Sequence, residues 1–131
     1  MIKVIDHISL NCSDYETSKA FYQKALAPLG VTLLMEFGKA AGFGLQGKPE
    51  FWLGEGATSF QTEAQAKNIT PVHVCFTAPD RATVDAFYQA AIQAGGRDFG
   101  APGLREIYHP GYYGAFVLDP DGHNIEAVFH G

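Results

Sequence analysis

Apolar and polar residues alternate from Val4 to Leu10, with Ile8 and Leu10 on one face and His7, Ser9 and Asn11 on the other. That period of two predicts a strand. The pattern then changes to a helical one. Ser13-x-x-Glu16 reads as a capping box, and Phe21, Ala25 and Leu29 form an apolar stripe behind it. Pro28 and Gly30 end this helix. Strands are predicted at about 31–37, 41–45 and 50–53, separated by glycines. The second half predicts a strand over 72–77, a helix over 80–94 stopped by Gly95-Gly96, and strands near Arg97, over 114–118 and over 124–129. Polar, aperiodic residues 57–70 read as a linker.

The two halves are copies of one unit. Displaced by 66 positions, Asp6-His7-Ile8-Ser9-Leu10-Asn11 falls on Val72-His73-Val74-Cys75-Phe76-Thr77. Ala20-Phe21-Tyr22-Gln23 falls on Ala86-Phe87-Tyr88-Gln89, Asp14 on Asp80, Thr17 on Thr83 and Gly30 on Gly96. A gapless match with one element order marks a tandem duplication. The predicted architecture is βαβββ twice, in one α+β domain: a first module of about 1–56, a linker of about 57–70 and a second module of about 71–131.

This repeat gives the histidines their meaning. Side chains alternate along a strand, so Ile8 and Leu10, Val74 and Phe76, and Ile125 and Ala127 are expected to face the helices. His7 and His73 then take equivalent places on the opposite face, and Glu126 joins them there. A carboxylate inside the apolar run Asn124–Val128 is costly unless paired or bound to metal. Two imidazoles and a carboxylate suit Fe, Mn, Zn, Ni or Co in the divalent state. One such ion is the expected cofactor.

Composition narrows the partners. With 131 residues the chain can bury one core. Its net charge of −5 disfavours nucleic acid and anionic membranes. No apolar run approaches the roughly 20 residues that span a bilayer. The N-terminal residues enter a strand pattern without a signal peptide, and Cys12 and Cys75 form no disulfide framework, so a cytoplasmic location is expected.

Asp6-His7-Ile8, Asp14-x6-Phe21-Tyr22, His73-Val74 and the run Asp119-Pro120-Asp121-Gly122-His123-Asn124-Ile125-Glu126 carry a family likeness. Over nearly its whole length the chain resembles the vicinal oxygen chelate superfamily: glyoxalase I, extradiol dioxygenases, fosfomycin-resistance transferases and bleomycin-resistance proteins. The resemblance implies paired βαβββ modules forming a cup-shaped open β-barrel with helices outside. It implies metal ligands at His7, His73 and Glu126, and a homodimer. At the fourth ligand position of glyoxalase I this chain carries Trp52, read as a wall of the cup or as ordinary core. Glu50, assigned the same strand parity, is the alternative fourth ligand.

The loop Gly103–Tyr113 supplies the remaining candidates. Arg105 and Tyr112 are read as substrate-binding with Trp52, and Tyr108, His109 and Tyr113 as catalytic proton donors or acceptors. A surface loop whose tyrosines pack sideways is the competing reading. His123 and His130 receive no role. The resulting expectation is a metal-dependent enzyme, of lyase, isomerase or dioxygenase type, acting on a small substrate with neighbouring oxygens. The alternative is a non-catalytic protein that sequesters a ligand, as bleomycin-resistance proteins do.

Overall fold

The computed structural model describes residues 4–131; the first three residues of the first module lie outside the described part. Module one runs β1 (Ile8–Cys12), α1 (Tyr15–Ala25), β2 (Thr32–Phe37), β3 (Ala40–Leu45) and β4 (Lys48–Glu55). Module two runs β5 (His73–Thr77), α3 (Arg81–Gln93), β6 (Arg97–Leu104), β7 (Tyr112–Leu118) and β8 (Asn124–His130). Each module forms a four-stranded mixed sheet, ordered β1-β4-β3-β2 and β5-β8-β7-β6. In each the first strand runs parallel to the last and the other pairs are antiparallel. The sequence repeat is therefore also a topological repeat.

The helices begin alike because Asp14 and Asp80 are related by the repeat. Each carboxylate accepts the N–H of the threonine three residues on, at 3.1 Å from Thr17 and 2.7 Å from Thr83. Such caps satisfy one orphan N–H of the first turn. This corrects the predicted capping box at Ser13 and Glu16. Ser13 lies outside α1, and its N–H donates instead to the Asp121 carboxylate. The first strand also starts later than predicted, at Ile8. The linker is not featureless: it holds α2 (Glu63–Lys67), with Thr62 and Gln65 forming a capping box. A helix of five residues shows too little periodicity to be read from sequence.

Each sheet turns one face to its helix. Leu10, Phe21, Tyr22, Phe43 and Phe51 of module one join Val84, Phe87, Val117, Ile125 and Ala127 of module two in one continuous core. Helix α1 packs against α3, and Phe51 meets Phe76 edge-on at 5.4 Å. The opposite faces of the sheets stay open and the sheets do not close on each other. Among the described residues, no helix is long and apolar enough to cross a membrane.

A polar seam also joins the modules. Tyr22 donates to Asp119, itself buried. A second oxygen of Asp119 accepts the N–H groups of Asp121 and His123, both at 2.9 Å. His123 is 2% exposed, although the sequence suggested no role for it. Its Nδ1 accepts from the Val72 N–H at 3.1 Å, so the proton sits on Nε2, which donates to the Asn11 carbonyl at 2.9 Å. The motif Asp119–His123 is thus a clasp between the β7–β8 turn, the residue that leads into β5, and β1.

Candidate metal centre and substrate face

The open face of the second sheet brings His73 and Glu126 together. Parallel pairing of β5 with β8 sets His73 opposite Asn124 and Cys75 opposite Glu126. Ile125 and Ala127 are fully buried on the helix side, which turns Glu126 to the other face. There it is only 2% exposed, flanked by the side chains of Tyr112 on β7 and of His73 and Cys75 on β5. One carboxylate oxygen accepts from the Tyr112 hydroxyl; the other lies 3.1 Å from His73 Nε2. Gly114 makes the room, since a Cβ there would sit 3.0 Å from the carboxylate.

The tautomer of His73 is informative. Its Nδ1 lies 2.9 Å from the Asn124 carbonyl, which can only accept, so Nδ1 carries a proton. In the neutral ring Nε2 then presents a lone pair to the Glu126 carboxylate. That arrangement is repulsive unless a proton or a bound cation sits against both groups. A histidine held through Nδ1 to a carbonyl is the usual arrangement of a metal ligand. Nearby, the Oδ1 of Asn124 is buried with no hydrogen-bond partner among the described residues. The donor set therefore fits a divalent ion, as a half-site.

His7 stands apart from this pair. It precedes β1, with Nδ1 2.6 Å from an Asp6 oxygen that Lys48 also approaches at 3.2 Å. The ring lies in a hollow with Ser9 and Trp52 on the first sheet's open face. Nδ1 is taken up by Asp6, which leaves Nε2 for a ligand. Among the described residues of one chain, no three His, Cys, Asp or Glu side chains are arranged to hold a metal ion.

The other candidates divide between the two sheet faces. Tyr112 touches Glu126, and burial, then that carboxylate, raise its phenol above the ordinary range. Tyr108 packs edge-on against Tyr112 at 4.9 Å. His109 puts Nε2 2.7 Å from Nδ1 of His130, a pairing the sequence did not suggest. Tyr113 points the other way: its hydroxyl donates to Asp85 on α3 at 2.7 Å, beneath the Arg81 guanidinium. Arg105 donates to the carbonyls of Ala101, Gly103 and Gly114 and lies over Phe116, so its guanidinium braces the β6–β7 hairpin.

Trp52 is half-buried on the open face of the first sheet, nearly parallel to Phe37 with ring centres 6.2 Å apart. Gly42 lets it lie there, since a Cβ at that position would come within 2.9 Å of the indole. Glu50 does not share its face. A bulge sets Gly44 opposite Pro49 and Phe43 opposite Phe51, so Glu50 is the extra residue of β4. It lines a cleft with His73 and Cys75, whereas Pro49 and Trp52 line the His7 hollow. Such a bulge is invisible to parity counting.

Cys75 is the neighbour that sequence reasoning passed over. It is exposed on the face of Glu126. Desolvation, then the Glu126 carboxylate, push its thiol well above the ordinary range. Its place two residues after His73, and so on the same face of the strand, was the available signal.

Solved structures share this arrangement. A glyoxalase/bleomycin resistance protein from Albidiferax ferrireducens T118 superposes with a TM-score of 0.80 at 25% identity, covering 98% of this chain and all of its own. A glyoxalase/bleomycin resistance protein/dioxygenase family enzyme from Burkholderia phytofirmans PsJN gives 0.75 at 20% identity, covering 96% of this chain and 98% of its own. Lactoylglutathione lyase from Agrobacterium tumefaciens gives 0.69 at 19%, covering 98% and 94%. At these last two identities the likeness is one of fold. No curated protein sequence is significantly similar to the chain. The family model described as Glyoxalase/Bleomycin resistance protein/Dioxygenase superfamily matches residues 4–127, and with the duplicated fold this makes the chain a member of that superfamily.

Proposed function

We propose that this chain is a divalent-metal-dependent enzyme, of lyase, isomerase or dioxygenase type, acting on a small substrate with neighbouring oxygens. In this reading it works as a homodimer, with the ion held by His73 and Glu126 of one copy and His7 of a second. The carrying observation is His73, whose Nδ1 is committed to a carbonyl while Nε2 faces a buried carboxylate. The incomplete set within one chain supports a second copy. The preferred ion, among Fe, Mn, Zn, Ni and Co, follows from measurement.

The ion would supply Lewis acidity toward two oxygens of one substrate. The chain's own residues do the rest. Tyr112 keeps its proton and holds the Glu126 carboxylate in place. His109, paired with His130, and Tyr108 beside Tyr112 are the groups available to exchange protons with water. Trp52 offers an apolar wall for the unreactive part of the substrate. Two free thiols suit a reducing cytoplasm.

A ligand-sequestering protein is the second reading. It is favoured by the hollows along Trp52, which lie away from His73 and Glu126.

Mixing two variants tests the shared site. His7→Ala and Glu126→Ala proteins should each lose bound metal, counted by mass spectrometry. Unfolded together and refolded, they should regain about a quarter of the wild-type metal, because half of randomly paired dimers carry one intact site of two. No recovery would place all ligands in one chain, and no metal in the wild type would sink the metal reading and favour sequestration.

A further inference from the structure

The open face of the first sheet carries a trough that metal chemistry alone does not require. Three hollows run end to end along β1. One lies at His7, about 370 Å³ in volume, bounded by Ser9 and Trp52. A second lies between Trp52 and Phe60. The third, about 360 Å³, lies under the linker with Asn11 and Gln61 in its walls. Neighbouring hollows share Ser9 and Trp52, then Ser9, Asn11, Phe60 and Gln61. Together they reach the size of a small-molecule pocket.

The chemistry changes along its length. Asp6 and Lys48 flank the His7 end, whereas no Asp, Glu, Lys or Arg among the described residues lines the middle and far hollows. In the middle the walls are aromatic: Trp52, pressed on the sheet at Gly42, and Phe60, which is 83% exposed. An exposed phenylalanine on a polar linker is unexplained by packing within the chain.

A pair of carboxamides stands where the middle hollow meets the far one. Gln61 Nε2 donates to Asn11 Oδ1 at 2.7 Å, while the return bond from Asn11 Nδ2 is long, at 3.4 Å. Gln61 Oε1 also accepts from the N–H and hydroxyl of Thr58, each at 3.2 Å. Gln61 is thereby fixed, and Asn11 retains weakly engaged donors beside an acceptor with a spare lone pair. An adjacent donor and acceptor match the edge of an amide. A carboxylate offers acceptors only and would be desolvated without a countercharge.

We propose that this trough binds a neutral, planar aromatic amide or lactam, with its ring against Trp52 and Phe60 and its amide edge on Asn11 and Gln61. The placing of its opposite, reacting end at His7 rests on the metal-site reading above; the amide-edge assignment does not.

Trp52 is the only tryptophan, so its fluorescence reports on the trough directly. Full-length protein is titrated with 4-nitrobenzamide and, separately, 4-nitrobenzoate, two nitroaromatic quenchers that differ in the edge presented. Saturable quenching by the amide is expected, with the carboxylate weaker by about tenfold. Asn11→Leu should bring the two probes to within about twofold by weakening the amide, and Phe60→Ala should weaken both alike. Amide and carboxylate binding equally well, a preference unchanged in Asn11→Leu, or no saturable quenching up to the amide's solubility would each overturn the proposal. Repeating the titration in His73→Ala with chelator separates the two readings. Amide preference retained there keeps the trough, whatever the metal counts say of the metal site.

Discussion

His73 Nε2 and a Glu126 carboxylate oxygen lie 3.1 Å apart, brought together by the parallel pairing of β5 with β8. The carboxylate is 2% exposed and the imidazole about half exposed, so the pair is open to solvent on the histidine side only. Glu126→Gln keeps the shape and an acceptor for Tyr112 but removes the charge. Metal content in that variant should fall to less than about a tenth of wild type, with no loss of fold by circular dichroism. Unchanged metal would move the site elsewhere.

The same carboxylate should govern a thiol. Cys12 is 1% exposed, and burial, then Asp121 and Glu55, raise its thiol to about 12. Cys75 is accessible, yet desolvation and then Glu126 hold its thiol above the ordinary range. At about pH 8, an aromatic disulfide should therefore label Cys75 slowly and Cys12 only after unfolding. In Glu126→Gln, Cys75 labelling should be faster by about three- to tenfold. An unchanged rate would leave desolvation as the sole cause.

The His123 clasp makes a prediction about stability. Replacing it by alanine leaves the Val72 N–H and the Asn11 carbonyl without partners and opens a cavity in a buried seam. His123→Ala should cost about 2–4 kcal/mol in urea unfolding. His130→Ala, at an exposed strand end, should cost less than about 0.5 kcal/mol. Equal costs would remove the clasp from the account of how the modules are joined.

Acid should loosen the start of α1. Glu55 accepts the Tyr15 N–H at 2.8 Å and pairs with Lys39 at 3.0 Å. Chiefly for the first reason and then the second, its carboxyl lies below its ordinary 4.5 in the folded chain. A depressed folded value stabilises fully above 4.5 and is lost as pH falls through the lower folded value. The melting temperature should fall more steeply on acidification below 4.5 in the wild type than in Glu55→Gln. Parallel curves would show that Glu55 is not the group responsible.

The limits of sequence reading appear at particular residues. The duplication was legible because both copies solve the same local problem: an aspartate cap, an Ala-Phe-Tyr-Gln helix face, a glycine after the helix. The facing of Glu126 was legible because alternation is a property of the strand itself. Glu50 was misassigned to the face of Trp52 because a bulge adds one residue without leaving a composition signal. Read as loop residues, Tyr112 and Tyr113 both reach the substrate, one to bind it and one to exchange a proton; as neighbours on β7 they point oppositely, one to Glu126 and the other to Asp85.

By itself, then, the sequence determined the modules, the order of their elements and which side chains share a strand face, since these depend on local periodicity. Tertiary structure alone decided which faces meet. Packing α1 against α3 buries the helix sides of both sheets in one core and leaves both polar faces open. Strand pairing within each sheet sets His73 beside Glu126 and His7 beside Trp52, while the packing of the modules keeps those two sets on separate sheets, and the linker folds over Asn11. Long-range contacts of this kind are fixed by the burial of apolar area between modules, to which no single stretch of chain holds the key.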